Sequence, residues 1–244
     1  MAASSGKAIS FLADGLRLCG HLHMPQMVPL AIVVGCHGLL SDKSSPKQIA
    51  LAERCIQMRI AYFRFDHRGC GQSEGDFNAD TTIDNRRSDL LSAVGAAKHA
   101  AGNTIPVGLF GSSLGGSICL AAAQALDPFA LVTLASPVQS RSIRIPEESP
   151  ESLKQEMIRK RLDFNLGRQI QSLHRILIVH GDCDETVPVE NAQMIFSRAG
   201  EPKRKVILKG GDHRISRPDH QMRFIDEASR WFAMCLRDIL PNGL

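Results

Sequence analysis

The 244-residue sequence has little of what directs a protein to nucleic acids or membranes. Tryptophan and tyrosine occur once each, and aromatic residues make up only 5% of the chain, which disfavours the stacking platforms that bind single-stranded nucleic acids. The net charge is only +4, and lysine and arginine form no basic block. No apolar run approaches the roughly 20 residues that span a bilayer. We therefore expect no nucleic-acid partner and no membrane span.

The cysteines lack an organising pattern as well. There are seven, an odd number, with no C-x-x-C pair and no spacing typical of zinc ligands. Most lie in apolar stretches, where a reduced cysteine behaves as a small hydrophobic residue. The first residues contain no basic segment followed by an apolar run, so no signal peptide is predicted. These features predict a cytoplasmic protein whose cysteines form no zinc site.

What the sequence does contain is an alternation of apolar strands and helical patterns. Two segments around the Asp14-Gly15 turn predict an antiparallel hairpin, in which His21 and His23 lie on the polar side and are expected to face solvent. Further strands are predicted at 30–36, 60–66, 105–110, 129–135, 175–181 and 205–209. This order predicts an α/β fold, with a mostly parallel eight-stranded sheet and helices on both faces.

One long segment interrupts the alternation. Residues 138–173 lie between two strands that a single crossover helix could connect, and they include a charged, helical stretch around 153–166. Its apolar residues, such as Met157 and Phe164, recur at roughly helical spacing. Such a stripe either rests on the main domain or covers a pocket. We expect a single domain, 1–244, with a small helical cap insertion at about 138–173.

The strongest chemical signal lies at residues 105–116. A short apolar strand leads into a G-x-S-x-G pattern and then into a run of strong helix formers, as in a nucleophile elbow. Such a sharp turn forces Ser113 toward a φ near or above zero, and glycine at 111 and 115 removes collisions between strand and helix. The serine hydroxyl is then left at a helix N-terminus, where negative charge is favoured. The simpler alternative is a glycine- and serine-rich turn without a chemical role.

Two further candidate residues follow later strands. Asp184 and His213 lie just beyond predicted strand ends, and in a parallel sheet such ends share one edge with Ser113. In this order a histidine accepts the serine proton and an aspartate fixes the imidazole tautomer. Asp182 is an alternative acid, although it could instead bind backbone N–H groups of its turn. We predict Ser113, Asp184 and His213 as a catalytic triad.

Acyl transfer also needs two N–H groups that stabilise an oxyanion. The backbone N–H of Leu114, which follows the nucleophile, is one candidate. The second is the N–H of Leu39, in the loop after the third strand. His37 and His180, which are both followed by glycine, are expected to brace loops rather than to reach Ser113.

Together these motifs resemble the α/β-hydrolase superfamily. The residues that carry the resemblance are His37-Gly38, Gly111-x-Ser113-x-Gly115, Asp184-x-x-Val187-Pro188 and Gly210-Gly211-Asp212-His213. The stretch 65–75 is similar to the branch of cinnamoyl (feruloyl) esterases, monoacylglycerol lipases and serine-aminopeptidase-like hydrolases. This resemblance implies a serine nucleophile, no cofactor and ester hydrolysis.

We therefore expect a carboxylesterase-type serine hydrolase that acts on a small-molecule ester through an acyl-enzyme. A serine peptidase, amidase or thioesterase would use the same triad, and the residues do not separate these activities. A catalytically silent, ligand-binding member of the fold is a further alternative. Such a protein would be expected to lack at least one of the three triad residues, and all three are present here.

Overall fold

The protein is represented by a computed structural model that describes residues 6–145, 151 and 162–240. Its strands are β1 (Lys7–Ala13), β2 (Leu16–His23), β3 (Ala31–Cys36), β4 (Ile60–Phe65), β5 (Val107–Ser112), β6 (Leu131–Leu134), β7 (Ile176–Gly181) and β8 (Lys203–Leu208). The helices of the described residues are α1 (Pro46–Gln57), α2 (Phe77–Asp80), α3 (Ile83–Ala101), α4 (Leu114–Leu126), α5 (Glu190–Arg198) and α6 (Pro218–Ile239).

The strands form one sheet in the order β1-β2-β4-β3-β5-β6-β7-β8. Strand β2 runs antiparallel to both of its neighbours, and the strands from β4 to β8 pair in parallel. The predicted eight-stranded, mostly parallel sheet is therefore confirmed. Because the parallel strands end at the same edge, the loops that follow β3, β4, β5, β7 and β8 are brought together there.

Apolar side chains cover both faces of the sheet. All six residues of β3 are buried, and they alternate between two core layers, with Ile32 in one and Val33 in the other. Helices α3, α4 and α5 pack on the first face, and α1 and α6 pack on the second. Helix α6 contributes Phe224 and Phe232, and full burial of such a side chain stabilises the fold by roughly 1.5–3 kcal/mol. No helix of the described residues is long and apolar enough to cross a membrane.

The β1–β2 hairpin forms around Asp14 and Gly15, both of which have positive φ. The expectation that His23 faces solvent is wrong, because this side chain is buried. Arg64 of the neighbouring strand β4 donates a hydrogen bond from Nε to His23 Nε2 over 2.8 Å, and its Nη2 lies 3.2 Å from His21 Nδ1. A polar partner on another strand therefore covers the side of β2 that its own pattern predicted to be exposed.

The described ends of the 138–173 segment belong to the scaffold. Gln139 pairs with Asn165 in an antiparallel bridge, which closes the base of the excursion. The apolar side chains of its second half are buried in the core: Leu162, Phe164, Leu166, Ile170 and Leu173. Most of the predicted helix at 153–166, including Met157, lies outside the described residues. For that part, the choice between lid and scaffold stays a prediction.

Candidate active site

The turn between β5 and α4 consists of a single residue, Ser113. Its φ of +52° and ψ of −125° agree with the positive φ predicted from the sequence. Residues other than glycine rarely adopt such a conformation, which costs on the order of 1–3 kcal/mol. The Ser113 N–H donates to Leu134 O over 2.8 Å, and its carbonyl accepts the Gly116 N–H over 2.9 Å. These backbone hydrogen bonds hold the strained residue in place.

The two glycines of the elbow allow backbones to approach closely. A Cβ atom at Gly111 would overlap the carbonyl of Gly115, so the predicted collision between strand and helix is confirmed at this position. A Cβ atom at Gly115 would instead overlap the carbonyl of Cys36, at the end of β3. The second glycine therefore lets α4 pack against a neighbouring strand rather than against the strand that precedes it.

The structure brings the three predicted triad side chains into one hydrogen-bonded chain. His213, in the loop after β8, has its Nε2 atom 3.0 Å from Ser113 Oγ. Its Nδ1 atom lies 2.8 Å from Asp184 Oδ2, in the loop after β7. The His213 side chain is 16% exposed, whereas the Asp184 side chain is fully buried. This arrangement leaves the serine and the histidine accessible and secludes the carboxylate.

Asp184 is fixed by its own loop. Its Oδ1 atom accepts the backbone N–H groups of Thr186 and Val187, over 2.9 and 2.7 Å. His180 Nε2 lies 3.2 Å from Asp184 Oδ2 and 2.8 Å from Val187 O, so this histidine braces the loop, as predicted. Burial alone would raise the pKa of the Asp184 carboxyl, but the hydrogen bonds from His180, His213 and the backbone outweigh burial and lower it. The group is therefore an anion at neutral pH.

Two other carboxylates near His213 hold backbone N–H groups instead of the imidazole. Asp182 is exposed, and its Oδ1 accepts the Gly210 N–H over 2.5 Å. Asp212 accepts the backbone N–H of Ser216 over 2.7 Å. Within the ranges that the structure describes, no group of three or more histidine, cysteine, aspartate or glutamate side chains is arranged to hold a metal ion. The geometry thus favours Asp184 over Asp182 as the partner of His213.

One candidate oxyanion donor directly follows Ser113, and the residue before the other lies beside Ser113. Leu114 is the first residue of α4, where N–H groups have no acceptor within the helix. Leu39 follows Gly38, and a Cβ atom at Gly38 would lie 3.4 Å from Ser113 Cβ. The loop after β3 therefore passes directly beside Ser113.

The sequence analysis missed a buried ion pair behind this loop. Lys43 Nζ contacts Asp66 Oδ2, and the Lys43 N–H donates to Asp66 Oδ1 over 2.7 Å. The same aspartate accepts the Gln72 N–H over 2.9 Å, and a Cβ atom at Gly71 would overlap its carboxylate. Asp66 therefore joins the loop after β3 to the glycine-rich loop after β4. A glycine-rich stretch after a strand marked Asp66, but no local pattern marked Lys43.

Solved structures share this architecture. Est1E from Butyrivibrio proteoclasticus, determined with bound ferulic acid, aligns with a TM-score of 0.76 at 20% identity and covers 93% of this chain and 99% of its own. Alpha/beta hydrolase domain-containing protein 10 from mouse aligns with a TM-score of 0.71 at 22% identity, over 93% and 99%. At such identities the likeness establishes the fold, and it confirms the predicted α/β-hydrolase architecture.

Sequence relatives extend the comparison. The uncharacterized protein YfhR of Salmonella typhi is 30% identical over 225 residues, which cover 87% of this chain and 70% of that protein. The mitochondrial palmitoyl-protein thioesterase ABHD10 of Mus musculus is 28% identical over 205 residues, covering 73% and 67%. A family model described as serine aminopeptidase, S33, matches residues 28–162. The chain therefore belongs to the serine aminopeptidase S33 family of α/β-hydrolase enzymes.

Proposed function

We propose that the protein hydrolyses carboxylic esters of small molecules through a covalent acyl-enzyme. The observation that carries this proposal is the hydrogen-bonded chain in which His213 contacts Ser113 Oγ through Nε2 and Asp184 through Nδ1. A serine hydroxyl is a weak nucleophile unless a base lies within hydrogen-bond reach, and the 3.0 Å distance meets that condition. No cofactor takes part in the proposed reaction.

In the first step, Ser113 Oγ attacks the ester carbonyl while His213 Nε2 accepts the hydroxyl proton. Asp184 keeps the other proton of the imidazole on Nδ1 and stabilises the imidazolium. When the tetrahedral intermediate collapses, the C–O bond to the alcohol breaks and His213 returns its proton to the leaving oxygen. A water molecule, deprotonated by His213, then attacks the acyl carbonyl. The C–O bond to Ser113 Oγ breaks, His213 returns its proton to Oγ, and the carboxylic acid is released.

We assign the oxyanion hole to the backbone N–H groups of Leu39 and Leu114. Leu114 directly follows Ser113, and Gly38, which precedes Leu39, lies beside Ser113. A tetrahedral intermediate requires two such donors.

A thioesterase is the second candidate, because a relative at 28% identity is a palmitoyl-protein thioesterase. Hydrolysis of an amide by the same residues is the third, because the family is described as serine aminopeptidase. The three activities differ only in the leaving group. Comparison of kcat/KM for an ester, a thioester and an anilide that share one acyl group will rank them, and we expect the ester or the thioester to lead.

The cysteines support a reducing compartment, and we propose the cytoplasm. All seven are free thiols, and five of them are buried: Cys36, Cys55, Cys70, Cys119 and Cys235. Buried thiols of this kind act as apolar core residues.

The decisive test of the proposed function is Ser113→Ala. We expect kcat to fall by about 10⁴-fold or more and labelling by a fluorophosphonate to disappear, because the nucleophile is removed. The matched control is Ser112→Ala, which changes the neighbouring hydroxyl and should keep both activity and labelling. Circular dichroism checks that both variants fold. Labelling that persists in Ser113→Ala and maps to Ser112 or Ser117 would contradict the proposal.

A further inference from the structure

One histidine that takes no part in the proposed proton transfers lies in the loop after β3, two residues before the proposed oxyanion donor Leu39. His37 is buried, and its Nδ1 atom lies 2.7 Å from the carbonyl oxygen of Gly38. On the other side of the ring, the backbone N–H of His67 donates to His37 Nε2 over 3.1 Å. Since Nε2 accepts a hydrogen bond, the proton of the neutral imidazole is on Nδ1, which donates to Gly38 O. The two contacts select one tautomer.

The neutral form of this imidazole is strongly favoured. Burial lowers the pKa of His37 well below its ordinary value, and the nearby positive charge of Arg86 lowers it further. Both effects favour the uncharged imidazole, the form in which Nδ1 donates to Gly38 O while Nε2 accepts from His67.

The bond to Gly38 O has a consequence for the next N–H group. The peptide between Gly38 and Leu39 is trans and planar, so its C=O and N–H point in opposite directions. Fixing the carbonyl toward the buried ring therefore fixes the direction of the Leu39 N–H on the other side. A hydrogen bond to the carbonyl also polarises the peptide and strengthens its N–H as a donor.

We propose that His37 is a positioning residue that directs the Leu39 N–H into the oxyanion hole beside Ser113. This inference rests on the proposed ester hydrolysis, and it adds a residue that acts on the transition state through the backbone rather than by contact with substrate. It predicts that the bond donated by Nδ1 matters for catalysis, whereas the bond accepted by Nε2 only orients the ring.

The brace continues from the ring into helix α3. His67, whose N–H holds His37 Nε2, places its own Nδ1 3.2 Å from Asp89 Oδ2. The next backbone N–H, of Arg68, donates to the same carboxylate oxygen over 3.0 Å. Asp89 thus fixes the two consecutive residues that present a donor to His37.

Two substitutions separate the two hydrogen bonds of the ring. In His37→Asn the side-chain amide can occupy the place of Nδ1 and donate to Gly38 O, but it cannot reach the His67 N–H. In His37→Gln the longer side chain can place its oxygen near the Nε2 position and accept from His67, but it leaves Gly38 O without its donor. The pair is matched in chemistry and differs in which bond is kept.

The two variants are compared with wild-type protein by measuring kcat and KM for p-nitrophenyl butyrate. Removal of one oxyanion donor typically costs about 10²–10³ in kcat, so we expect His37→Gln to lose about 10²-fold with little change in KM. His37→Asn should retain at least about one tenth of the wild-type kcat, since the donor to the carbonyl is restored. Equal losses in the two variants, or a larger loss in His37→Asn, would overturn the positioning role and leave His37 as a loop brace alone.

A second measurement uses the wild-type protein and does not depend on how a variant folds. In ¹⁵N-labelled protein, long-range proton–nitrogen correlations identify which imidazole nitrogen is protonated, and His37 should have a proton on Nδ1 and none on Nε2. The opposite tautomer would overturn the proposal. Failure of the proposed function would look different: wild-type protein would hydrolyse none of the esters, and Ser113 would resist the fluorophosphonate.

Discussion

Two aspartates at the carboxyl edge of the sheet each hold the Nδ1 atom of a histidine, but the two pairs have different surroundings. Asp184 and His213 are 2.8 Å apart, and Asp89 and His67 are 3.2 Å apart. His213 is partly exposed, and its Nε2 atom reaches Ser113 Oγ. His67 is fully buried, and its Nε2 atom has no hydrogen-bond partner among the described residues. A histidine–aspartate pair therefore indicates a catalytic base only when a nucleophile and solvent lie at its second nitrogen.

The charged groups around the His67–Asp89 pair also suit a structural role. Asp89 accepts a hydrogen bond from Arg68 Nε over 2.8 Å, and the same guanidinium also pairs with Asp14. Burial lowers the pKa of His67 to about 4, and the charge of Arg86 adds to this effect, although the bond to Asp89 opposes it. His67 therefore takes up a proton only in acid, which suits a structural residue and makes it a poor general base at neutral pH.

Substitution of each histidine by glutamine gives the largest expected difference between the pairs. His213→Gln removes the proposed general base, and we expect kcat to fall by about 10⁴-fold or more with little loss of stability. His67→Gln keeps the backbone N–H that holds His37, so kcat should fall by no more than about tenfold. Steady-state kinetics and urea unfolding of both variants test this. A His67→Gln variant that folds but is as inactive as His213→Gln would refute the distinction.

The next largest contrast comes from the two carboxylates. Asp184→Asn should lower kcat by about 10³–10⁴-fold, because an amide favours the wrong imidazole tautomer. Asp89→Asn breaks a buried pair with Arg68 and should instead lower the free energy of unfolding by about 3 kcal/mol. Kinetics and denaturant titration separate the two outcomes. Asp182→Asn is the control for the first variant, and a greater loss of kcat there than in Asp184→Asn would show that the acid is wrongly assigned.

The residues of the candidate site could be located from sequence because each depends on a local pattern. The glycines two residues before and after Ser113 predict the turn. The positive φ follows because Ser113 alone connects β5 to α4. Asp184 and His213 follow apolar strands, and the common edge of a parallel sheet brings such positions together. Local patterns combined with one topological rule were sufficient.

The buried polar contacts could not be predicted in this way. Asp89 lies 22 positions from His67 along the chain, on a helix whose charged residues normally face solvent. Lys43 and Asp66 are 23 positions apart, and the sequence around either residue does not indicate that the two side chains form a buried ion pair. Burial of His23 depends likewise on a side chain of another strand. Such contacts depend on three-dimensional packing, and hydrophobic periodicity contains no information about polar partners that are buried together.

The smallest effect concerns stability against pH, and it tests the structural role of His67 directly. In an unfolded chain a histidine has a pKa near ~6.5, whereas burial lowers that of His67 in the folded protein to about 4. Between these values the unfolded chain binds the additional proton, so the free energy of unfolding falls as the pH falls, by up to about 1.4 kcal/mol per pH unit from this group.

The lowered pKa values of Asp89 and Asp184 affect stability at lower pH, since their stabilisation is lost only as the pH falls below the unfolded value of about 4. Urea titrations between pH 7 and pH 5 therefore exclude the two aspartates, but His37, whose pKa burial also lowers, acts in the same range. The difference between wild-type protein and His67→Gln isolates the contribution of His67, which we expect to be on the order of 1–2 kcal/mol over that range. His67→Gln, less stable at pH 7, should lose less on acidification, and an unchanged slope would mean that His67 is not held neutral by the fold.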